Sequence, residues 1–166
     1  MTTFVSVGNA KQPFGRLINA IGRIAATLPQ PVVVQHGSTP VRLSGVTAEA
    51  FIDIQEFERL VAGAALLVMH AGAGSVIHAV RAGKVPVIVP RRAQFGEHVD
   101  DHQVEFATAL VATGRVIVAL DTVDLEGSIS RALACQAITL PSGAGSGLSA
   151  LVGERLQTYA ARLAPR

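Results

Sequence analysis

Apolar residues in this chain come in short unbroken runs, separated by longer stretches in which they recur every three or four positions. Unbroken runs read as strands buried on both faces, and the three-to-four spacing as helices with one buried face. Phe4 to Val7 predicts a first strand ending at Gly8-Asn9, after which Leu17, Ile18, Ile21, Ile24 and Ala25 share a helical face. Val32 to Val34 predicts a second strand, closed by Gln35-His36-Gly37-Ser38. A short strand is expected near Phe51 to Ile54, then a helix from Gln55 to Ala62 on Phe57, Leu60 and Val61. Leu66 to Met69, Val85 to Val89 and Val116 to Leu120 read as further strands. Helices are expected over Val76 to Ala82, Gln103 to Ala112, about Val123 to Ala134, and finally Leu148 to Leu163. Such βα alternation predicts a parallel sheet with helices on both faces, and such sheets bind ligands at the carboxyl ends of their strands.

Composition narrows the class. A chain of 166 residues with 49% hydrophobic and 16% charged residues suits one compact domain over residues 1–166. There is no internal repeat and no linker long enough to split it; Gly143 to Gly147 follows no buried strand and reads as a connector. No run reaches the length of a membrane span, and Met1-Thr2-Thr3-Phe4 lacks a signal-peptide pattern, so a cytoplasmic protein is expected. Net charge of +2, one Tyr and no Trp argue against a nucleic-acid partner. The single Cys135 cannot form an internal disulfide, and its Ala/Leu-rich surroundings predict a buried, inert thiol.

Chemistry concentrates at His70-Ala71-Gly72-Ala73-Gly74-Ser75, between a predicted strand and a predicted helix. A strand, a glycine turn and a helix start together present backbone N–H groups and a positive dipole end, which suits a phosphate or diphosphate. Gly72 and Gly74 admit close approach to the backbone, and Ser75 can cap the helix or donate a hydroxyl. Downstream, Glu97, His98, Asp100, Asp101 and His102 invite a metal reading, but Asp100 and Asp101 serve equally as helix caps, and no metal is assigned. Arg91 and Arg92 end a central strand, where a guanidinium can pair with a diphosphate or a uronic-acid carboxylate; loop solubility is the competing account.

Five segments in order carry a resemblance: Phe4-Val5-Ser6-Val7-Gly8-Asn9, Val34-Gln35-His36-Gly37, the glycine turn, Ala82-Gly83-Lys84-Val85-Pro86-Val87-Ile88-Val89-Pro90, and Asp101-His102-Gln103. Over nearly its whole length the chain resembles the carboxyl-terminal, donor-binding half of GT-B glycosyltransferases of the family 28 type. It is most similar to the short stand-alone versions: exopolysaccharide subunits and the soluble subunit of the dolichol-linked N-acetylglucosaminyltransferase. The resemblance implies a Rossmann-like parallel sheet with helices on both faces, a single half of a GT-B fold. It implies a UDP-sugar donor, an acceptor that is a lipid-linked saccharide, no cofactor, and a membrane-anchored partner subunit carrying the acceptor site. The chain would then be peripheral to the inner face of the membrane, with self-association open to it when isolated. Residue by residue, Gly8 and Asn9 would lie near the donor diphosphate, Gly72, Ala73, Gly74 and Ser75 would receive it, and His102 and Gln103 would hold sugar hydroxyls. Relatives often carry a ribose-binding Glu five residues before the glycine at position 83; here that position is His78, which can bond only one hydroxyl well. No catalytic base is assigned, His70 and His98 being the first candidates. Donor identity, whether glucuronic acid, N-acetylglucosamine or glucose, is left open. The alternative is a non-catalytic nucleotide-sugar-binding module. A redox dinucleotide enzyme fits less well, since no Gly-x-Gly-x-x-Gly follows the first strand.

Overall fold

The computed structural model describes residues 1–138. The Gly143 to Gly147 connector and the helix expected from Leu148 to Leu163 lie outside the described residues. Six strands form one sheet: β1 (Thr2–Ser6), β2 (Val32–Gln35), β3 (Thr47–Glu49), β4 (Ala64–His70), β5 (Val87–Val89) and β6 (Ile117–Val118), in the order β3-β2-β1-β4-β5-β6. Every pairing is parallel. Five α-helices follow the strands: α1 (Gly15–Ile24), α2 (Ile54–Gly63), α3 (Ala73–Arg81), α4 (His102–Val111) and α5 (Leu125–Ile138). The expected Rossmann-like sheet covered on both faces is present.

Alternate strand residues feed two cores, because successive side chains leave a strand on opposite sides. Val5, Val7, Leu66, Val68, Val87 and Val89 pack with Leu17, Ile18 and Ile21 of α1 and Leu125 and Ile129 of α5. Phe4, Leu67, Met69 and Ile88 pack on the other face with Phe57 and Leu60 of α2, Val76 of α3 and Phe106 and Leu110 of α4. That two-sided burial is why β1 and β4 read as unbroken apolar runs.

Three expectations need correction. The third strand is Thr47–Glu49 instead of Phe51 to Ile54: the Asp53 carboxylate accepts from Glu56 N–H at 2.8 Å and caps α2, which draws Ile54 into the helix. All three residues of β3 are exposed, so this edge strand carries no apolar signature. β5 begins at Val87, after Pro86, which has no N–H to donate, and β6 shrinks to Ile117–Val118. Cys135 is exposed, since the periodicity of α5 turns Ile129 and Ala132 inward instead. Among the described residues no helix is long and apolar enough to cross a membrane.

Candidate functional site

The chain connects outward from β1 to β2 and β3 on one side, and from β4 to β5 and β6 on the other. Loops therefore diverge at the carboxyl ends of β1 and β4 and leave a crevice between them. A cleft of about 370 Å³ occupies it. Gly8 and Asn9 after β1, Gln35 ending β2, His70 ending β4, and Gly72, Gly74, Ser75 and His78 at α3 line it on one side. Ile52, Asp53, Ile54 and Phe57, at the start of α2, supply a more apolar part of the lining.

The floor is built around His70. A Cβ built on Gly8 would come within 2.5 Å of His70 Cε1, and one on Gly72 would overlap Nε2. The imidazole is thus held between two glycines, and the φ of +75° at Gly8 favours glycine independently. Burial pushes the His70 pKa down to about 4, helped by the Arg91 guanidinium. Its Nδ1 is buried without a hydrogen bond of full geometry, and a weak interaction with the Ser6 backbone only partly opposes the shift. His70 is therefore neutral near pH 7: a fixed polar group in the cleft and a weak proton acceptor.

α3 starts at the glycine turn. Gly72 is its N-cap and offers no side chain, so no side-chain cap serves the N–H groups of the first turn. Gly74 is exposed, and a Cβ there would meet nothing within 4 Å. One turn further along α3, His78 Nδ1 lies 3.2 Å from Glu58 Oε1 of α2 and packs edge-on to Phe57 at 5.8 Å. A short polar network supports the other lip: Ser6 Oγ donates to Gln35 Oε1 at 2.6 Å, and Gln35 Nε2 donates to Asn9 Oδ1 at 2.9 Å.

Of the residues singled out from sequence, Gly8, Asn9, His70, Gly72, Gly74, Ser75 and His78 meet in this cleft, with Ala73 in the same turn. Arg91, His98, His102 and Gln103 are not in its lining. Arg91 corrects the expectation most clearly: it is fully buried, donating to Val7 O at 2.7 Å, Gln12 O at 2.8 Å and Glu97 O at 3.0 Å, over the Phe14 ring. Its guanidinium clamps loops beneath the cleft instead of meeting a diphosphate, and burial lowers its pKa to about 10. Gln103 is buried and its Oε1 accepts from Arg91 N–H at 3.2 Å, so only the Nε2 end is left for another partner.

The loop after β5 is organised by Glu97, which accepts from Arg16 Nε and Nη2 at 3.0 and 2.9 Å and from Arg92 N–H at 3.0 Å. α4 begins only at His102, so His98 lies in the loop, yet the two rings pack edge-on at 4.4 Å. Asp100 Oδ1 faces both Nδ1 atoms and accepts from His102 N–H at 3.2 Å. Asp101 is the N-cap residue of α4, but its side chain makes no capping bond; its Oδ1 accepts from Ala93 N–H at 2.8 Å. Burial and the neighbouring His102 lower the His98 pKa, against the pull of Asp100. The ligand atoms of His98, Asp100 and His102 lie within 4.8 Å of one another, the grouping among the described residues able to hold a divalent ion. As they stand, these groups bond to each other.

Sequence reasoning passed over Ser6, Gln35, Asp53 and Phe57. A signal existed for the first two, since a polar residue within or ending a buried apolar run needs an internal hydrogen-bond partner.

The model of the glycosyltransferase family 28 C-terminal domain matches residues 2–134. UDP-N-acetylglucosamine transferase subunit ALG13 from two strains of Cryptococcus neoformans var. neoformans serotype D is 36% identical over 88 residues, covering 52% of this chain and 42% of the relative. The chain thus spans less than half the length of these curated relatives. Among solved structures, the calicheamicin glycosyltransferase CalG4 superposes with a TM-score of 0.58 at 21% identity, over 99% of this chain and 43% of that one. The glycotransferase of kitacinnamycin gives 0.58 at 18% identity, over 95% and 37%, and SnogD from Streptomyces nogalater 0.54 at 18%, over 92% and 43%. At these identities the likeness is one of fold.

Proposed function

The chain belongs to the glycosyltransferase family 28 C-terminal domain family, and from that premise we propose that its cleft binds the UDP-sugar donor of a glycosyltransferase. The observation that carries the reading is the junction of β4 and α3, where uncapped N–H groups and exposed Gly74 border the cleft beside neutral His70. Anions are favoured at such a helix start, and transfer from a nucleotide sugar leaves a diphosphate whose developing negative charge the same N–H groups would stabilise. The apolar wall of Ile52, Ile54 and Phe57 suits the face of a nucleobase. His78, paired with Glu58, suits a ribose hydroxyl.

The acceptor in this reading is a lipid-linked saccharide, held by a membrane-anchored partner subunit that completes the site. The relative described as a transferase subunit supports that division of labour. With its pKa near 4, His70 is better suited to orienting the donor than to taking the acceptor proton. A base from the partner, or His98 beyond the cleft, fits that task better. Calorimetric titration with UDP, ADP and NAD tests the site. UDP should bind at least about tenfold more tightly than the others; equal or absent binding would remove the reading. Comparing UDP-N-acetylglucosamine, UDP-glucose and UDP-glucuronate then identifies the sugar, and a chain that binds donor yet supports no transfer with any partner would be a binding module.

A further inference from the structure

The lip of the cleft contains a hydrogen-bonded chain whose direction can be read from the bonding capacity of its members. Ser6 is fully buried, and its Oγ accepts from Gly8 N–H at 3.3 Å and lies 2.6 Å from Gln35 Oε1. A carbonyl oxygen can only accept, so the Ser6 proton goes to Gln35. Gln35, buried at 3% exposure, passes the direction on: its Nε2 donates to Asn9 Oδ1 at 2.9 Å.

Turning the Gln35 amide over would point its NH₂ at Ser6 Oγ. That oxygen would then face two N–H donors, Gly8 N–H and the amide, and its own proton would lose the Gln35 acceptor. Taking that acceptor from a buried hydroxyl is costly, so Ser6 favours the amide sense with Oε1 toward it. Asn9 inherits the sense. Its oxygen is occupied by Gln35, its residue is exposed, and it lines the cleft beside Gly8 and Gly72.

We propose that Ser6 and Gln35 are positioning residues that hold the Asn9 carboxamide with its NH₂ toward the cleft, making Asn9 a donor to an anionic phosphate oxygen of the ligand. This rests on the donor-site reading above and deepens it. Bonds aligned in one direction polarise each other, so the terminal N–H is a better donor than an isolated amide. A relay of this sense selects ligands that accept, and disfavours those that present a hydroxyl proton at the same point.

The test uses the full chain, with UDP and inorganic diphosphate as probes in calorimetry. Ser6→Ala, remote from the ligand, should weaken both about tenfold, and that loss should vanish in an Asn9→Ala background. Asn9→Asp keeps the shape and the bond from Gln35 but turns an oxyanion to the cleft; about a hundredfold loss is expected. In the ligand-free protein, NMR should detect a coupling across the hydrogen bond from Gln35 Nε2 to the Asn9 side-chain carbonyl carbon. Equal losses from Ser6→Ala in both backgrounds, or a coupling of the reverse sense, would overturn the relay. A wild-type chain that binds neither probe would overturn the donor site and the phosphate assignment with it, while the NMR coupling still judges the amide orientation by itself.

Discussion

Gly74 and His70 set the ligand chemistry of the cleft in opposite ways, one by leaving space and the other by filling it. At Gly74 a Cβ meets no atom within 4 Å, and valine ranks above glycine in helix propensity, so Gly74→Val should fold. Its branched side chain would nevertheless stand over the first-turn N–H groups, and UDP affinity should fall by more than about tenfold. Calorimetry beside a thermal melt checks both halves; unchanged affinity in a folded variant would place the anion elsewhere. His70 makes stability depend on pH. Its folded-state pKa of about 4 lies below the roughly 6.5 of an unfolded histidine. As pH falls, the unfolded chain binds the proton first, so stability is lost between about pH 6.5 and 4, by up to about 3 kcal/mol. Urea denaturation at pH 7 and pH 4 should show this loss in the wild type and a smaller one in His70→Gln. A dependence unchanged by the substitution would assign the titration to other groups.

Between elements, Arg91 is the tie whose role the sequence concealed. It joins the end of β5 to Val7 after β1, to Gln12 before α1 and to Glu97 in the following loop. Arg91→Met keeps much of the buried volume but strands three carbonyls. The loss should be several kcal/mol, at about 1 to 3 for each buried acceptor left unsatisfied. In variants that remain folded, UDP affinity should change little; a large affinity loss at unchanged stability would return Arg91 to the ligand. A sequence displays such a charge without its burial, which is why Arg91 resembled a diphosphate ligand. β2 and β4 were legible because burial on both faces leaves only apolar residues at Val32 to Val34 and Leu66 to Met69. β3 was misplaced because exposed Thr47, Ala48 and Glu49 are held by backbone pairing to Val33, Val34 and Gln35, which leaves no side-chain pattern. The glycine turn was legible from residue type alone, since few residues other than glycine allow such close approach. The Ser6–Gln35–Asn9 network depends on a register between β1 and β2 that no local window contains.

For the whole molecule, the cleft lies at the carboxyl ends of the central strands of one sheet, and in the proposed reading it is a donor half that a partner completes. Binding without turnover is the expected behaviour of the purified chain. Co-expression with a membrane-anchored partner should produce sugar transfer and move the chain to the membrane fraction. Transfer to a lipid-linked acceptor by the purified chain alone at about 1 per second or faster would refute the split arrangement. The position of the cleft has a further consequence for hydrogen exchange. β1 and β4 lie at the centre of the sheet with nearly every residue buried. Their amides should exchange only when the molecule opens globally, which makes them a gauge of total stability. A ligand seated at their carboxyl ends adds its binding energy to that opening, about 2.7 kcal/mol at a hundred times its dissociation constant. Protection factors in β1 and β4, followed across a panel of nucleotide sugars, would therefore rank donors before any acceptor or partner is known.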